Sequence, residues 1–396
     1  MKVLLFKFLT MPLIPFFLMI LHLAKVKYRV KIALINVNRI GHLALNTEVV
    51  LRRAVIINDY KDKKNEDHVI LVAPTLPYHN VSNEQLVKMF ARHENVYQSW
   101  FFYRFIFVWY EFLLKTPFFF LTSHAMDSNE HELFNNVGTT MEFDSNEIKE
   151  GNNILNKIGV GNNKYVCIFQ RDSNYLEIKE NKSQEDRDCR DANINAMIPS
   201  IKHLINEGYY VIRVGAHAKD KVSFKHNMFI DYPFTKYVSD FNDVYIVANA
   251  SFLVGSTSGI CDVAVLFDIP RLVVNTIPFT HSTVGKNIMF IPKKLSKKGN
   301  IVPYFDKNVK ALFNEFSCDR VREKGYEYIN NTEDEVLEAV KDFIKYLSSN
   351  GILESEDLKN MDRYIANYLS NTSYHSVKVP LCPFWLRNNY KLYFST

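Results

Sequence analysis

Cysteine is scarce. The 396 residues hold five, at 167, 189, 261, 318 and 382. None stands in Cys-x-x-Cys spacing, which argues against a disulfide framework or a zinc knuckle and favours a reducing, cytosolic setting. Gly-x-Gly-x-x-Gly and Gly-Lys-Ser/Thr are both missing, so dinucleotide redox and P-loop chemistry lose support. Gly-x-Ser-x-Gly is missing too, which removes the nucleophile elbow of a Ser-His-Asp hydrolase. No Asp-x-Asp pair follows a strand. Asp186-Arg-Asp188 has that spacing but lies in a hydrophilic loop that can pair its own charges, so no metal site is expected. No internal repeat or long low-complexity tract appears. The net charge of +5 is small for this length. It suits an anionic ligand or an acidic membrane surface and does not demand nucleic acid.

What is present describes a globular chain, 47% hydrophobic and 23% charged, longer than one core needs. Two domains are the natural expectation. Aromatic residues make up 14% and gather in two places. Phe8 to Ala24 is nearly free of charge, flanked by Lys2, Lys7, Lys25 and Lys27, and carries Pro12 and Pro15. At about 17 residues it is at the short limit for crossing a bilayer. No small-x-small cleavage site follows it. A membrane-associated segment on the cytoplasmic face is expected, with a plain hydrophobic first helix as the alternative. Trp100 to Leu121 is the second place. Arg104, Glu111 and Lys115 interrupt it at helical spacing, so it reads either as a core helix or as a helix resting on lipid headgroups.

The first half opens β-α-β-α. Lys31–Val37 and His68–Ala73 are compact apolar runs that read as buried strands, with a helix from about Leu43 to Ala54 between them. Ser82-Asn-Glu-Gln85 reads as a capping box for a short helix. Phe143 to Asn163 is polar, rich in Asn and Gly, and is expected to be a linker. The second half repeats the alternation. Strands are expected at Lys164–Phe169, Tyr209–Val214, Met228–Tyr232, Phe252–Val254 and Arg271–Asn275. Helices should start at Asp191, Asp243 and Gly259, and the chain is mostly helical from about Thr332. The boundaries that result are a membrane-associated segment (1–30), a Rossmann-like domain (31–150), a second Rossmann-like domain (160–310) and a helical C-terminal extension (311–396). The fold class is α/β, doubly wound.

The stretch Phe252-Leu-Val-Gly-Ser-Thr-Ser-Gly-Ile260 carries the sharpest signal. It reads as a buried strand, a tight turn and a helix start. Backbone N–H groups and hydroxyls of Gly255, Ser256, Thr257, Ser258 and Gly259 would point at one spot that carries the positive end of a helix dipole. A phosphate fits there; an ordinary strand–turn–helix junction is the plain alternative. Further polar residues follow the other strands: Arg171 and Asp172, then Arg213, Gly215 and His217, then Asp231 and Tyr232, then Asn275 and Pro278. In an open parallel sheet such ends converge on one crevice. Arg213 sits in an apolar run and needs a partner. A phosphate and a structural carboxylate (Asp231 or Asp172) are both open. Arg171 is expected to pair with Asp172 or Asp188. In the first half, Arg39-Ile-Gly41-His42 occupies the first strand–helix turn. Gly41 would let a ligand approach the backbone. A helix start would keep His42 neutral and able to accept a proton, or His42 only bonds the turn. Glu48 is a second candidate base, but Arg52 can satisfy it.

The run Arg171-Asp-Ser-Asn-Tyr-Leu176, Asp188-Cys-Arg-Asp191, Gly208-Tyr-Tyr-Val-Ile-Arg-Val-Gly215, Asp240-Phe-Asn-Asp-Val-Tyr245, Gly255-Ser-Thr-Ser-Gly259 and Pro270 to Asn275, with Asn38-Arg-Ile-Gly-His-Leu43 upstream, resembles a family of bacterial glycosyltransferases of surface-polysaccharide synthesis. It covers roughly residues 31 to 310. The resemblance implies a GT-B-like arrangement: two Rossmann-like domains facing a central cleft, a nucleotide sugar on the second and the acceptor on the first. It implies donor-side roles for Gly255–Gly259, Arg213 and Asn275, and an acceptor side at Gly41 and His42. The expectations are therefore His42 as the catalytic base, with Arg39 and Gly41 beside it. Arg171, Arg213, Gly215, the 255–259 turn and Asn275 are expected on the donor. A glycan or lipid-linked acceptor, no metal and no cofactor beyond the nucleotide-sugar substrate complete the expectation. The setting is the inner face of the cell membrane, reached through residues 1–24 and 100–121. The rival readings are transfer of another activated group, such as pyruvyl from phosphoenolpyruvate, and a non-catalytic glycan- or sugar-phosphate-binding component of a membrane complex.

Overall fold

The computed structural model describes residues 2–25, 29–59, 67–74, 81–93, 95–119, 130–172, 189–216, 218–277, 284–312, 315, 317–369 and 381–394. The chain divides into two compact units. One is Met1–Ala125 with Leu133–Phe143, and the other is Met126–Glu132 with Asp144–Thr396.

The first unit runs α1 (Lys2–Thr10), α2 (Leu13–Lys25), β1 (Arg29–Leu34), α3 (Thr47–Asp59), β2 (Asp67–Ala73), α4 (Glu84–His93), β3 (Asn95–Gln98) and α5 (Trp100–Leu113). The three strands form one parallel sheet in chain order. Helical backbone begins at Ile40, three residues before the expected Leu43, and a π-turn over His42–Asn46 leads it into α3. The expected capping box at Ser82 is not the cap: the Asn83 side chain accepts from Leu86 N–H at 2.9 Å, while the Ser82 hydroxyl is buried without a partner. Glu48 and Arg52 on α3 form a buried pair at 2.7 Å, and Thr140 donates to the same carboxylate through its N–H (3.0 Å) and its hydroxyl (2.6 Å). Glu48 is thus fully engaged, as its spacing from Arg52 suggested. Proline has no N–H to continue a helix, and the α1–α2 break at Met11-Pro12 bends the pair by 56°. No single described helix is long and apolar enough to cross a membrane. In the second aromatic stretch, α5 buries Phe105, Ile106 and Leu113 as a core helix would and leaves Trp100, Phe101, Phe107 and Phe112 exposed.

In the second unit, six parallel strands stand in the order β6-β5-β4-β7-β8-β9. They are β4 (Tyr165–Phe169), β5 (Tyr210–Arg213), β6 (Phe229–Asp231), β7 (Phe252–Ser256), β8 (Arg271–Thr276) and β9 (Ile288–Pro292). Counted from β4 this is 3-2-1-4-5-6, the dinucleotide-fold order, with its switch between β4 and β7. Alternate residues of β4 show that both faces are covered. Val166 and Ile168 join a core with Ile201 and Leu204 of the helix Ile198–Asn206 and with Val336, Val340 and Phe343 of the helix Glu333–Ser348. Tyr165 and Cys167 face the other way and donate to the Ile246 carbonyl of the helix Asp240–Ala248. The C-terminal extension is no loose tail, because Leu381, Trp385 and Tyr393 lie in the same core.

Three expectations change. The linker expected over Phe143–Asn163 is instead largely the helix Ser145–Lys157, started by a capping box between Asp144 and Glu147. Its Asn residues and Gly151 have poor helix propensity, but packing overrides that cost. The helix expected from Asp191 is capped by Asn193 and begins as a 3-10 turn. Cys189 and Cys318 are joined by a disulfide across 129 residues, against the reading that spacing gave, because spacing reports only neighbours in sequence. Asp186 and Asp188 lie outside the described residues.

Gly151 lets two helices meet. A Cβ there would lie 2.1 Å from Cζ of Tyr245. Gly151→Ala should cost about 1–3 kcal/mol of stability by overpacking. Chemical denaturation checks this, and most of the penalty should vanish in a Tyr245→Ala background.

Candidate functional site at the carboxyl edge of the second sheet

At the switch point, β4 and β7 end side by side, with Phe169 paired to Gly255. Gly255 lies in the sheet because nothing larger fits: a Cβ would sit 2.9 Å from the Phe169 carbonyl oxygen. Gly215 serves the same ring from β5. Its φ of +108° favours glycine, and a Cβ would meet Phe169 at 2.6 Å. The Ser256 hydroxyl is buried and accepts from the Arg171 backbone N–H at 2.8 Å. It therefore ties the strand ends together. Arg171 itself pairs with Asp191 at 3.4 Å, not with Asp172, whose carboxylate accepts from Lys219 N–H at 3.1 Å.

Thr257, Ser258 and Gly259 are half-buried, and the helix Gly259–Leu266 starts on Ser258. Ser258 makes no side-chain cap bond, although serine at that place commonly does. Cys261 N–H donates to the Ser258 carbonyl at 3.0 Å. The amides of Gly259 and Ile260, the first of the helix, have no acceptor within it. The Cys261 thiol donates to the Ser256 carbonyl at 3.1 Å and fixes the turn from below; burial pushes that thiol up to about 11. The turn thus presents helix-start amides and the half-buried Thr257 at the sheet edge, while the Ser258 hydroxyl donates to Cys261 Sγ at 3.8 Å. This is the geometry that an anion uses.

Two residues that sequence reading missed complete the edge. Gln170, one residue past β4, is only 3% exposed, and neither its Oε1 nor its Nε2 has a hydrogen-bond partner. Thr276, the last residue of β8, has a buried hydroxyl without a partner. A buried, unsatisfied amide costs about 1–3 kcal/mol, a cost that a bound polar group would relieve. No sequence motif signals either one; the sheet order alone brings them to one edge. Beneath the turn, Arg271 is buried and donates to the carbonyls of Cys261 (3.2 Å) and Val284. Burial pushes the nearby Asp262 carboxyl up to about 7, against the pull of the Arg271 guanidinium.

Two proposed donor contacts are spent inside the fold. Arg213 pairs with Asp231 at 3.3 Å and donates to the Asp220 carbonyl at 2.5 Å, so its partner is the carboxylate alternative. Asn275 takes a left-handed φ of +55°, accepts from Asn331 N–H at 2.7 Å and returns its own N–H to the Asn331 side chain at 2.7 Å. It holds β8 to the following segment. His217 and Pro278 lie outside the described residues.

In the first unit, His42 opens the π-turn, with Gly41 buried and Arg39 exposed. Gly41 has ordinary helical dihedrals (φ −64°), so glycine's freedom is not what the site uses. Burial, then the Arg39 charge, hold the His42 imidazole below 6.5, while the neighbouring Asn46 side chain pulls the other way. The ring is therefore neutral at pH 7 and can accept a proton.

No family model matches this sequence, and no curated protein is similar to it. Solved structures overlap it weakly. A glycosyl transferase family 9 structure from Veillonella parvula has 8% identity and a TM-score of 0.45, over 80% of this chain and 98% of that one. ADP-heptose lps heptosyltransferase II from E. coli has 13% identity and a TM-score of 0.38, over 74% and 97%. The iron-containing dodecameric glycosyltransferase TibC from E. coli has 13% identity and a TM-score of 0.39, over 82% and 81%. Overlap of this size assigns neither a reaction nor a residue.

The His42 shift gives a direct check. Its imidazole should titrate below 6.5 in an NMR pH series, and Arg39→Ala should move it upward by removing a neighbouring cation. Because the folded state then binds the proton less readily than the unfolded chain, the His42 contribution to stability is complete above 6.5 and is lost as pH falls.

Proposed function

We propose that this chain is a glycosyltransferase that moves a sugar from a nucleotide-sugar donor to a surface-glycan or lipid-linked acceptor at the inner face of the cell membrane. The observation that carries the donor half is the β4/β7 switch point: uncapped helix-start amides stand beside buried side chains that lack partners. An open α/β sheet binds its ligand outside the carboxyl ends at such a point. The sequence resemblance adds the reaction type.

In this reading the diphosphate lies against the amides of Gly259 and Ile260 and the hydroxyl of Thr257, and the Ser258 hydroxyl turns to it from Cys261 Sγ on binding. Gln170 and Thr276 bond polar groups of the nucleotide. The acceptor hydroxyl attacks the anomeric carbon. The bond from that carbon to the diphosphate oxygen breaks, and both electrons leave with the diphosphate. Fixed N–H dipoles stabilise that charge as it forms. His42 takes the hydroxyl proton, which predicts inversion at the anomeric carbon. The cytoplasmic setting rests on the basic N-terminal charge. The Cys189–Cys318 bond stands against a reducing compartment, where such bonds rarely persist.

The test is a thermal-shift series with UDP, ADP, GDP, CMP and phosphoenolpyruvate, followed by a transfer assay with the sugar of the nucleotide that binds. One nucleotide should raise the melting temperature progressively beyond its Kd. Gln170→Leu should weaken it about 5- to 150-fold, the equivalent of a lost buried bond of ~1–3 kcal/mol, while leaving the free protein as stable or more so. His42→Ala should lower turnover by about 10²- to 10⁴-fold with affinity unchanged. Binding of phosphoenolpyruvate alone would mean pyruvyl transfer. Binding without turnover would mean a non-catalytic role, and no binding at all ends the donor-site reading.

A further inference from the structure

The α1–α2 pair has a covered face and an open one. Ile14 and Leu21 are buried, and Phe6, Phe17 and Leu18 pack with them against α5. The Phe17 ring meets Phe102 at 5.6 Å and Phe105 at 5.4 Å between centroids. Trp109 Nε1 donates to the Thr10 hydroxyl at 3.1 Å, and Lys7 Nζ lies 5.0 Å from the Trp109 ring. The pair is therefore fastened to its own unit. On the open face, Leu4, Phe8, Leu9, Met11, Phe16 and Leu23 are each between 60% and 77% exposed. Trp100 and Phe107 extend that surface along α5. Scattered exposed apolar residues are ordinary, but a contiguous set this large marks an interaction surface.

Charge names the partner. No Asp or Glu precedes Glu48, while Lys2, Lys7 and Lys25 punctuate the two helices. A basic, apolar surface with tryptophan beside it fits anionic lipid. Length and shape decide how it fits. Helices of 9 and 13 residues extend about 14 and 20 Å, each short of a ~30 Å hydrocarbon core, and both are fastened along α5, whose Arg104 and Glu111 would have to enter that core with them if the bent pair crossed.

We propose that α1 and α2 lie within one leaflet of an anionic bilayer, open face toward the acyl chains, and hold the first unit to the membrane through α5 without crossing it. This surface stands whether or not the second unit transfers a sugar.

The full chain should float with vesicles of phosphatidylcholine plus phosphatidylglycerol and far less with phosphatidylcholine alone. Phe8→Glu with Leu23→Glu should cut partitioning at least tenfold. Both side chains are exposed, so circular dichroism and melting temperature should not change. Brominated lipid should quench the emission of Trp100 and Trp109 on α5, and the emission left in a Trp100→Phe, Trp109→Phe double variant should be much less affected, since the remaining Trp385 is fully buried in the second unit. The free cysteines are buried, so a Lys2→Cys variant reports the N-terminus alone. A non-permeant thiol reagent outside the vesicles should label it from the side to which the protein was added. Three results would overturn the proposal. One is protection of that thiol, which means crossing. Another is flotation indifferent to the two glutamates. The last is a soluble dimer without flotation, which means that a second copy covers the face.

Discussion

Phe169 sits where three strands must agree, and two glycines make that possible. At Gly255 the neighbouring backbone comes so close that a side chain would strike the Phe169 carbonyl; at Gly215 it would strike the ring. Removing both side chains lets β5 and β7 close on the end of β4. Ser256 can then accept the Arg171 N–H, which turns the chain away from the sheet. The next residues of β7 are thereby committed to a turn whose helix begins with open amides. The candidate donor site is a consequence of this packing constraint more than of any one polar residue.

The long apolar runs of the second half were legible because strands buried on both faces leave an uninterrupted signal. The turn at 255–259 was legible for the same reason, since glycine and hydroxyl residues punctuate such a run sharply. What could not be read was partnership. Nothing local in Val-Ile-Arg-Val says that Arg213 meets Asp231 on the adjacent strand; the β5–β6 pairing says it. Asn275 and Asn331 are 56 residues apart, and their exchange of bonds depends on the segment after the short strand Glu327–Ile329 returning to β8. The Ser145–Lys157 helix was hidden by residues with poor helix propensity, although its Asp144…Glu147 capping box was present in the sequence. Gln170 was invisible because an unsatisfied amide is a property of surroundings and not of spacing.

The cations of this edge bear on how an anion would be held. Arg213 is paired, Arg271 is directed at carbonyls beneath the turn, and Arg171 is pinned to Asp191. Guanidinium groups here brace the scaffold, and neutral dipoles face the crevice. That division suits a reaction in which a diphosphate must be stabilised as it departs and then released. Preorganised N–H groups gain most where charge develops, whereas a buried, fixed cation would hold the product nearly as well as the transition state. The unsatisfied Gln170 amide follows the same logic. It costs the empty protein stability, and a ligand that satisfies it recovers that cost on binding. Leucine at 170 would avoid that cost in the free protein but would offer a ligand no hydrogen bond.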